Sequence, residues 1–274
     1  MSSAIDRQYE GFAYRPPELA HRYGPNVHLL ADPLALTLLA RACQPEVGQP
    51  EMGRLVTELY RVLAHTVVAH ELPRRQVAVP TRMLASNPRG IWTGPLVDVE
   101  AKAVVVALAR AGLVPSQVVY EFLHHVLAPI GVRQDHLMLA RSTDAAGQVT
   151  GAAIGGAKIG GPIDGRFLVI PDPMGATGST ISTVLRHYDT EVVGDAARII
   201  ALHLIVTPEY LRHLHDHHPS VVVYAFRLDR GLSSPEVLAS VPGTHWAEER
   251  GLDEHHYIVP GGGGIGEVLN NAFC

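Results

Sequence analysis

The apolar positions of the chain change period repeatedly, and the clearest change lies between Arg166 and Tyr188. Phe167 to Ile170 is a continuous apolar run that stops at Pro171, whereas Ile181, Val184, Leu185 and Tyr188 recur at i, i+3, i+4 and i+7, one face of a helix. Asp172 and the small, hydroxyl-rich run Gly175-Ala176-Thr177-Gly178-Ser179-Thr180 lie between them. This reads as strand, tight turn, helix. The same alternation runs along most of the chain. Residues 1–26 show no period and read as an irregular arm. Helical spacing begins at Pro33 and covers Pro33–Cys43 and Pro50–Leu72, with Leu55, Leu59, Val62, Thr66 and His70 near one face. Pro73 to Pro95 is punctuated by proline and glycine, which predicts a loop with a short strand at Val77–Val79. Strands are predicted at Ala103–Leu108, Asp135–Ser142, Arg166–Pro171, Ala197–Val206 and Ser220–Leu228. Helices are predicted at Pro115–Ala128, from Ser179, and at Thr207–His218. Thr143–Gly165 is almost pure small residues, a mobile loop or hairpin. Ser233 to His255 is broken and polar. No internal repeat is present.

Continuously apolar strands alternating with helices indicate an α/β protein whose mostly parallel sheet is covered by helices on both faces. With 274 residues, 47% of them hydrophobic, one domain over 27–274 can hold the core, with an insertion near 233–255. The net charge of −5 and the lack of a long basic run disfavour nucleic acid or an anionic membrane as partner. Aromatic residues make up 6%, too few for a base-stacking platform. Cys43 and Cys274 form no spaced motif and fit a reducing, cytoplasmic setting. The N-terminal stretch has no apolar core like that of a signal peptide, and no apolar stretch approaches the roughly 20 residues that span a bilayer.

The turn at 172–180 follows a strand end, where open α/β sheets bind ligands. A helix start there presents unpaired N–H groups and the positive end of the dipole, glycine lets backbone approach an anion, and Thr177, Ser179 and Thr180 add hydroxyl donors. The turn is neither a Walker loop nor a Gly-x-Gly-x-x-Gly motif. Composition alone leaves two readings open, a phosphate cradle and a plain capped turn. Asp172 favours the cradle, because an acid beside bound phosphate needs a further ligand such as sugar hydroxyls or a metal.

Leu168–Thr180, "LVIPDPMGATGST", resembles the phosphoribosyl-diphosphate (PRPP) signature of type I phosphoribosyltransferases, in the Asp-Pro-Met-x-Ala-Thr-Gly form of the uracil phosphoribosyltransferases, with Pro173 where most type I enzymes have a second acid. Leu108–Gly112, "LARAG", resembles the family's pyrophosphate loop, and Met138–Thr143, "MLARST", its second arginine strand. Thr207–Asp229 and Tyr257–Glu267, "YIVPGGGGIGE", follow in family order, so the likeness runs from about His28 to the C-terminus.

The resemblance implies the type I fold: a mostly parallel sheet flanked by helices, a small hood and a flexible hairpin at Thr143 to Gly161. It implies transfer of ribose 5-phosphate from PRPP to uracil, giving UMP and pyrophosphate. Asp172 and Arg110 would be the catalytic pair. Arg110 and Arg141 would hold pyrophosphate, and Asp172 the ribose hydroxyls. Pro173, Met174, Gly175, Ala176, Thr177, Gly178, Ser179 and Thr180 would form the PRPP loop, with Ala176 to Thr180 on the 5′-phosphate. Tyr257, Ile258, Gly263, Gly264 and Ile265 would face the base. Mg²⁺ would be bound mainly through PRPP, with no strong protein metal site. A homodimer or larger homo-oligomer is implied. Arg110 and Arg141 also fit plain surface arginines, and Lys158 fits either a pyrophosphate contact or a solvated lysine. His213 to His218 read as surface histidines on a helix distant from the site.

One departure bears on the acceptor. The family's Pro-Gly-Leu-Gly-Asp-Ala-Gly-Asp becomes Pro260-Gly261-Gly262-Gly263-Gly264-Ile265-Gly266-Glu267. Loss of the aspartate at 264 and added bulk at 265 lead to an expectation of weak activity with uracil, or of another heterocyclic acceptor, with Gly264→Asp raising uracil turnover. A non-catalytic relative that senses PRPP or a nucleotide is the remaining alternative.

Overall fold

The computed structural model describes residues 6–143 and 149–272. In chain order its elements are β1 (Val27–Leu29), α1 (Pro33–Ala42), α2 (Glu51–Glu71), β2 (Arg74–Pro80), β3 (Ile91–Val97), β4 (Ala103–Ala109), α3 (Leu113–His124), β5 (Val132–Thr143), β6 (Val149–Lys158), β7 (Phe167–Pro171), β8 (Met174–Gly175), α4 (Ser179–Glu191), β9 (Arg198–Val206), α5 (Pro208–His217), β10 (Val222–Leu228), α6 (Pro235–Leu238) and α7 (Ile265–Asn270). The main sheet runs β1-β10-β9-β7-β4-β5-β6, with β8 beside β9. Every pairing in it is parallel except β5 with β6. Among the described residues no helix is long and apolar enough to cross a membrane.

The period-2 alternation of strand side chains divides the core into two layers. Ala103, Val105, Val169, Leu202 and Tyr224 pack with α1, α2 and α3, and α7 closes the same layer with Ile265 and Leu269. Their strand neighbours Val104, Val106, Leu168, Ile170, Ala201 and Val223 pack with α4 and α5. Both faces are covered, so β4 reads as an unbroken apolar run rather than an alternating one. Helix α2 buries more than the stripe its period suggests. Met52, Val56, Tyr60, Leu63 and Val67 are buried beside Leu55 and Leu59, because the helix meets both the sheet and its neighbouring helices. The buried Tyr60 hydroxyl donates to the Leu202 carbonyl at 3.1 Å.

Three segments differ from the sequence expectation. Pro73 to Pro95 contains the start of a seven-residue antiparallel hairpin, β2 with β3, paired from Arg74↔Val97 to Pro80↔Ile91. Its side chains are largely exposed, so the apolar pattern reveals only Val77–Val79. Strands β1 and β8 have three and two residues, too few to show a period. The polar stretch at 233–255 is ordered by a buried carboxylate. Glu249 accepts from the Tyr23 hydroxyl, from Arg230 Nη1 at 2.8 Å and from the Gly243 N–H at 2.8 Å. Arg22 N–H donates to the Pro242 carbonyl at 2.8 Å, tying the N-terminal residues to the same segment.

Glu249 is fully buried and Arg230 nearly so. Removing one partner of such a pair strands the other charge, at a cost of about 3–5 kcal/mol. Glu249→Ala is therefore expected to lower the urea midpoint by that much stability, and Glu249→Gln, which keeps an acceptor, by less. An unchanged midpoint for Glu249→Ala would show that the clasp contributes nothing.

Candidate functional site

A cleft of about 500 Å³ opens at the carboxyl ends of the central strands. Arg110, Asp172, Met174, Ala176 and Thr180 line one side, Tyr257, Ile258, Gly263, Gly264 and Ile265 the other, and Leu139 of β5 an edge. Ten of the residues singled out in the sequence therefore share one cavity. Pro173, Gly175, Thr177, Gly178 and Ser179 shape the turn without lining the cleft. Arg141 lies on β5 opposite Ala152 of β6. Its side chain, and residues 144–148 of the expected flap, lie outside what is described.

The turn is built onto β9. Asp172 N–H donates to the Leu202 carbonyl at 3.0 Å, and the Pro173 carbonyl accepts from Leu204 and Ile205 N–H at 3.0 and 3.2 Å. Thr207 N–H bonds the Gly175 carbonyl at 3.0 Å, and its hydroxyl the Ala176 carbonyl at 2.7 Å. Gly175 has no room for a side chain, since a Cβ would stand 2.9 Å from Val206 Cγ1. At Gly178, the N-cap of α4, φ is +85° and a Cβ would stand 2.5 Å from the His213 ring. His213 Nε2 lies 2.7 Å from Ser182 Oγ, and His218 Nε2 lies 2.8 Å from the same oxygen. The histidine cluster of α5 is thus not distant from the site, because His213 backs the turn. That contact joins residues more than thirty apart, which no local pattern signals. Thr177 Oγ1 and Ser179 Oγ lie 2.9 Å apart at the start of α4, where the first N–H groups have no intrahelical acceptor.

Asp172 sits half-buried in the cleft wall. Burial raises its carboxyl to about 6, against an opposing hydrogen bond from the Met174 backbone. Beneath it, His203 is fully buried, which lowers its imidazole to about 4 and keeps it neutral. Its Nδ1 lies 2.6 Å from the Asp172 carbonyl, an obligate acceptor, so Nδ1 carries the proton. Nε2 then accepts from the Tyr210 hydroxyl at 2.5 Å. Arg110 reaches the cleft from the β4–α3 turn, and its Nη1 donates to the Ala272 carbonyl at 3.3 Å. Gly112 closes that turn, since a Cβ there would stand 2.9 Å from the carbonyls of Leu108 and Pro171.

The opposite wall is held by a buried ion pair at the end of β10. Arg227 Nε and Nη2 donate to the two Asp229 oxygens at 2.7 and 2.8 Å. The same pair grips Gly261: its N–H donates to Asp229 Oδ2, and its carbonyl accepts from Arg227 Nη2, both at 2.7 Å. The loop's departures prove to be coupled. A Cβ at Gly262 would meet Cys43 Sγ at 2.9 Å and Ile265 Cδ1 at 3.2 Å. Ile265 is buried, packs into the core and fills the space that a side chain at 262 would take, while still lining the cleft. A Cβ at Gly264 would stand 2.0 Å from Glu267 Oε2. The Glu267 carboxylate therefore occupies the position of a side chain at 264 and lines the cleft. A carboxylate thus already stands beside position 264, where the sequence reads as having lost an acid. Sequence reasoning left Glu267 and His256 out of the site. The paired loss at 264 and lengthening at 267 was the available signal for Glu267.

Folding raises the Asp172 carboxyl from its ordinary 3.8 to about 6, so the folded chain binds more protons than the unfolded one between those values. Stability is lost as pH rises from about 4 to about 6 and stays lower above. In ligand-free buffer Asp172→Asn is expected to melt higher than the natural sequence at pH 7, with the gap closing near pH 4. A gap independent of pH would refute this assignment.

Residues 29–245 match the model of the family described as uracil phosphoribosyltransferase. The uracil phosphoribosyltransferase of Caldanaerobacter subterraneus subsp. tengcongensis is 25% identical over 89% of this chain and 97% of its own length. That of Rhodococcus jostii is 26% identical with the same coverage. The fold is also that of the AQ2163 protein from Aquifex aeolicus, at a TM-score of 0.65 and 20% identity, covering 89% of this chain and 97% of that one. With a family match over most of its length, and with the strand-end turn and the glycine-rich loop facing one cleft, the chain belongs to the uracil phosphoribosyltransferase family.

Proposed function

We propose that the protein transfers the 5-phosphoribosyl group of PRPP to uracil, forming UMP and pyrophosphate. The observation that carries this reading is the meeting of Asp172, Arg110 and the start of α4 with a glycine-rich loop across one cleft. The bond from ribose C1 to pyrophosphate breaks, a C1–N bond to the base forms, and the base nitrogen gives up its proton. Positive charge builds on the ribose in between. Asp172, ionised above about pH 6, faces that charge and accepts from the ribose hydroxyls. The N–H groups and hydroxyls at 176–180 receive the 5′-phosphate, and Arg110, a planar fork of donors, receives pyrophosphate. The hard carboxylate oxygens of Asp172 and Glu267 suit the waters of a Mg²⁺ ion carried by PRPP, which would neutralise the leaving pyrophosphate. Backbone groups of Gly263 to Ile265 read the polar edge of the base. The seating of Glu267 over Gly264, and of Ile265 in the core, favours uracil over another acceptor.

Pyrophosphate release from PRPP across a panel of bases tests the reading. Uracil is expected to be the best acceptor, and PRPP with Mg²⁺ to raise the melting temperature. Asp172→Asn is expected to lower turnover by roughly 10²–10³-fold while keeping the fold. A thermal shift with PRPP but no release with any base would leave the sensing alternative, and neither shift nor release would overturn the reading. A preference for another heterocycle would move the acceptor.

Glu267→Gln is expected to lower turnover with uracil by about tenfold or more. Gly264→Asp, which must displace Glu267, is expected to give no increase over the natural sequence. A rise in kcat for Gly264→Asp would restore the view that position 264 lacks a needed acid.

A further inference from the structure

A second cluster of ligating side chains lies outside the cleft, on the α2 side of the sheet edge. His28 is the middle residue of β1 and pairs with Tyr224 of β10, while His70 and Glu71 end α2. One nitrogen of each imidazole and one Glu71 oxygen lie within 4.8 Å of one another, the one group of this kind among the described residues. All three residues are partly buried.

The neighbours orient the rings as ligands need. His28 Nδ1 lies 2.8 Å from Glu18 Oε1, and His70 Nδ1 lies 2.6 Å from the Tyr224 hydroxyl oxygen. Tyr224 O–H donates in turn to Glu71 Oε1 at 2.6 Å, so its oxygen is left to accept from His70. Both rings then carry their proton on Nδ1 and their lone pair on Nε2. A metal-binding histidine has this arrangement, its second N–H donated to a carboxylate or another oxygen that fixes tautomer and orientation. Tyr224 also stacks on His28, with ring centroids 4.4 Å apart, and His70 stands edge-on to His28 at 5.1 Å. Arg198 Nε holds Glu71 Oε2 at 3.0 Å, while Oε1 accepts from the Tyr224 hydroxyl and lies 3.9 Å from His70 Nδ1.

We propose that His28, His70 and Glu71 form a binding site for a divalent ion of the zinc class, with Glu18 and Tyr224 orienting the two imidazoles. Two histidines and one carboxylate are a donor set that zinc takes, with water in the fourth place. At metal–ligand distances of about 2.0–2.2 Å the donors stand about 3.4 Å apart, so Glu71 Oε1, which lies 3.9 Å from His70 Nδ1, would leave the Tyr224 hydroxyl and turn to the Nε2 side to close the site. The ion would staple the three-residue edge strand β1 and the end of α2 together. It would leave the transferase chemistry to the cleft at the other ends of the strands.

The test is zinc binding to the full chain, read by competition with a chromogenic chelator and by the zinc-induced rise in melting temperature. One equivalent is expected to bind, and cobalt to give the visible absorption of a low-coordinate, nitrogen-ligated ion. His70→Gln and His28→Gln are each expected to weaken binding by at least tenfold, and Tyr224→Phe by about 10–100-fold, the scale of lost ligand orientation. His215→Ala with His217→Ala, which removes the exposed histidines of α5, is expected to change nothing. Zinc that follows the α5 pair, or affinity unchanged in His70→Gln, overturns the proposal. If either ligand variant fails to fold, the cobalt spectrum of the natural chain decides, and a spectrum of hexa-aquo type overturns it. Turnover with PRPP plays no part in these readouts, so failure of the transferase reading leaves them intact.

Discussion

The site depends on the way residues 172–177 are fastened to the end of β9. The chain leaves β7 at Pro171 and keeps bonding to β9 through its own carbonyls and N–H groups, so the Asp172 carboxylate cannot withdraw into solvent. The neutral His203, itself held by the Tyr210 hydroxyl, holds the Asp172 carbonyl from below. What results is a carboxylate at the rim of the apolar sheet, with its proton affinity raised by burial. A group so placed destabilises the empty protein and is useful only where a positive charge comes to meet it. This is the ordinary trade between stability and function at a site.

The parts of the fold that were legible in the sequence are those whose solvent contrast is strong. β4 and β7 are apolar throughout and β9 and β10 over most of their length because both faces are covered, and α4 shows its single buried stripe at the helical period. Elements that lack this contrast were hidden. β1 and β8 are shorter than any period, β2 is exposed and β3 mostly half-buried, and the stretch at 233–255 folds around the Glu249 carboxylate rather than around apolar side chains. The cradle was legible because its chemistry is local: Gly178 must adopt positive φ, and the hydroxyls stand at a helix start. The partners that complete it, His203, Tyr210 and His213, come from β9 and α5 and carry no signal in the turn itself.

The acceptor loop shows why substitutions read one at a time can mislead. Gly262 and Ile265 exchange one volume, and Gly264 and Glu267 exchange one carboxylate position. Each pair crosses the tight turn before α7, where residues three apart in sequence come together in space. Taken singly, the glycines suggest a loosened loop and a lost acid. Taken in pairs, they show a core position still filled and a charge still in place. The Arg227–Asp229 pair, which holds Gly261 by both its N–H and its carbonyl, keeps this loop in register against the cleft.

The Tyr23–Glu249 contact joins residues 226 apart, nearly the whole length of the chain. Closing so long a loop is slow compared with closing the local turns. During synthesis the strands and helix that carry Asp172 and the turn at 175–180 emerge well before Glu249 does. The cradle side can thus fold on the ribosome while the segment at 233–255, through which the chain reaches its acceptor loop, still lacks its anchor. The side of the cleft formed by residues 172–180 is finished early, and the side formed by residues 257–267 only after nearly all of the chain has emerged.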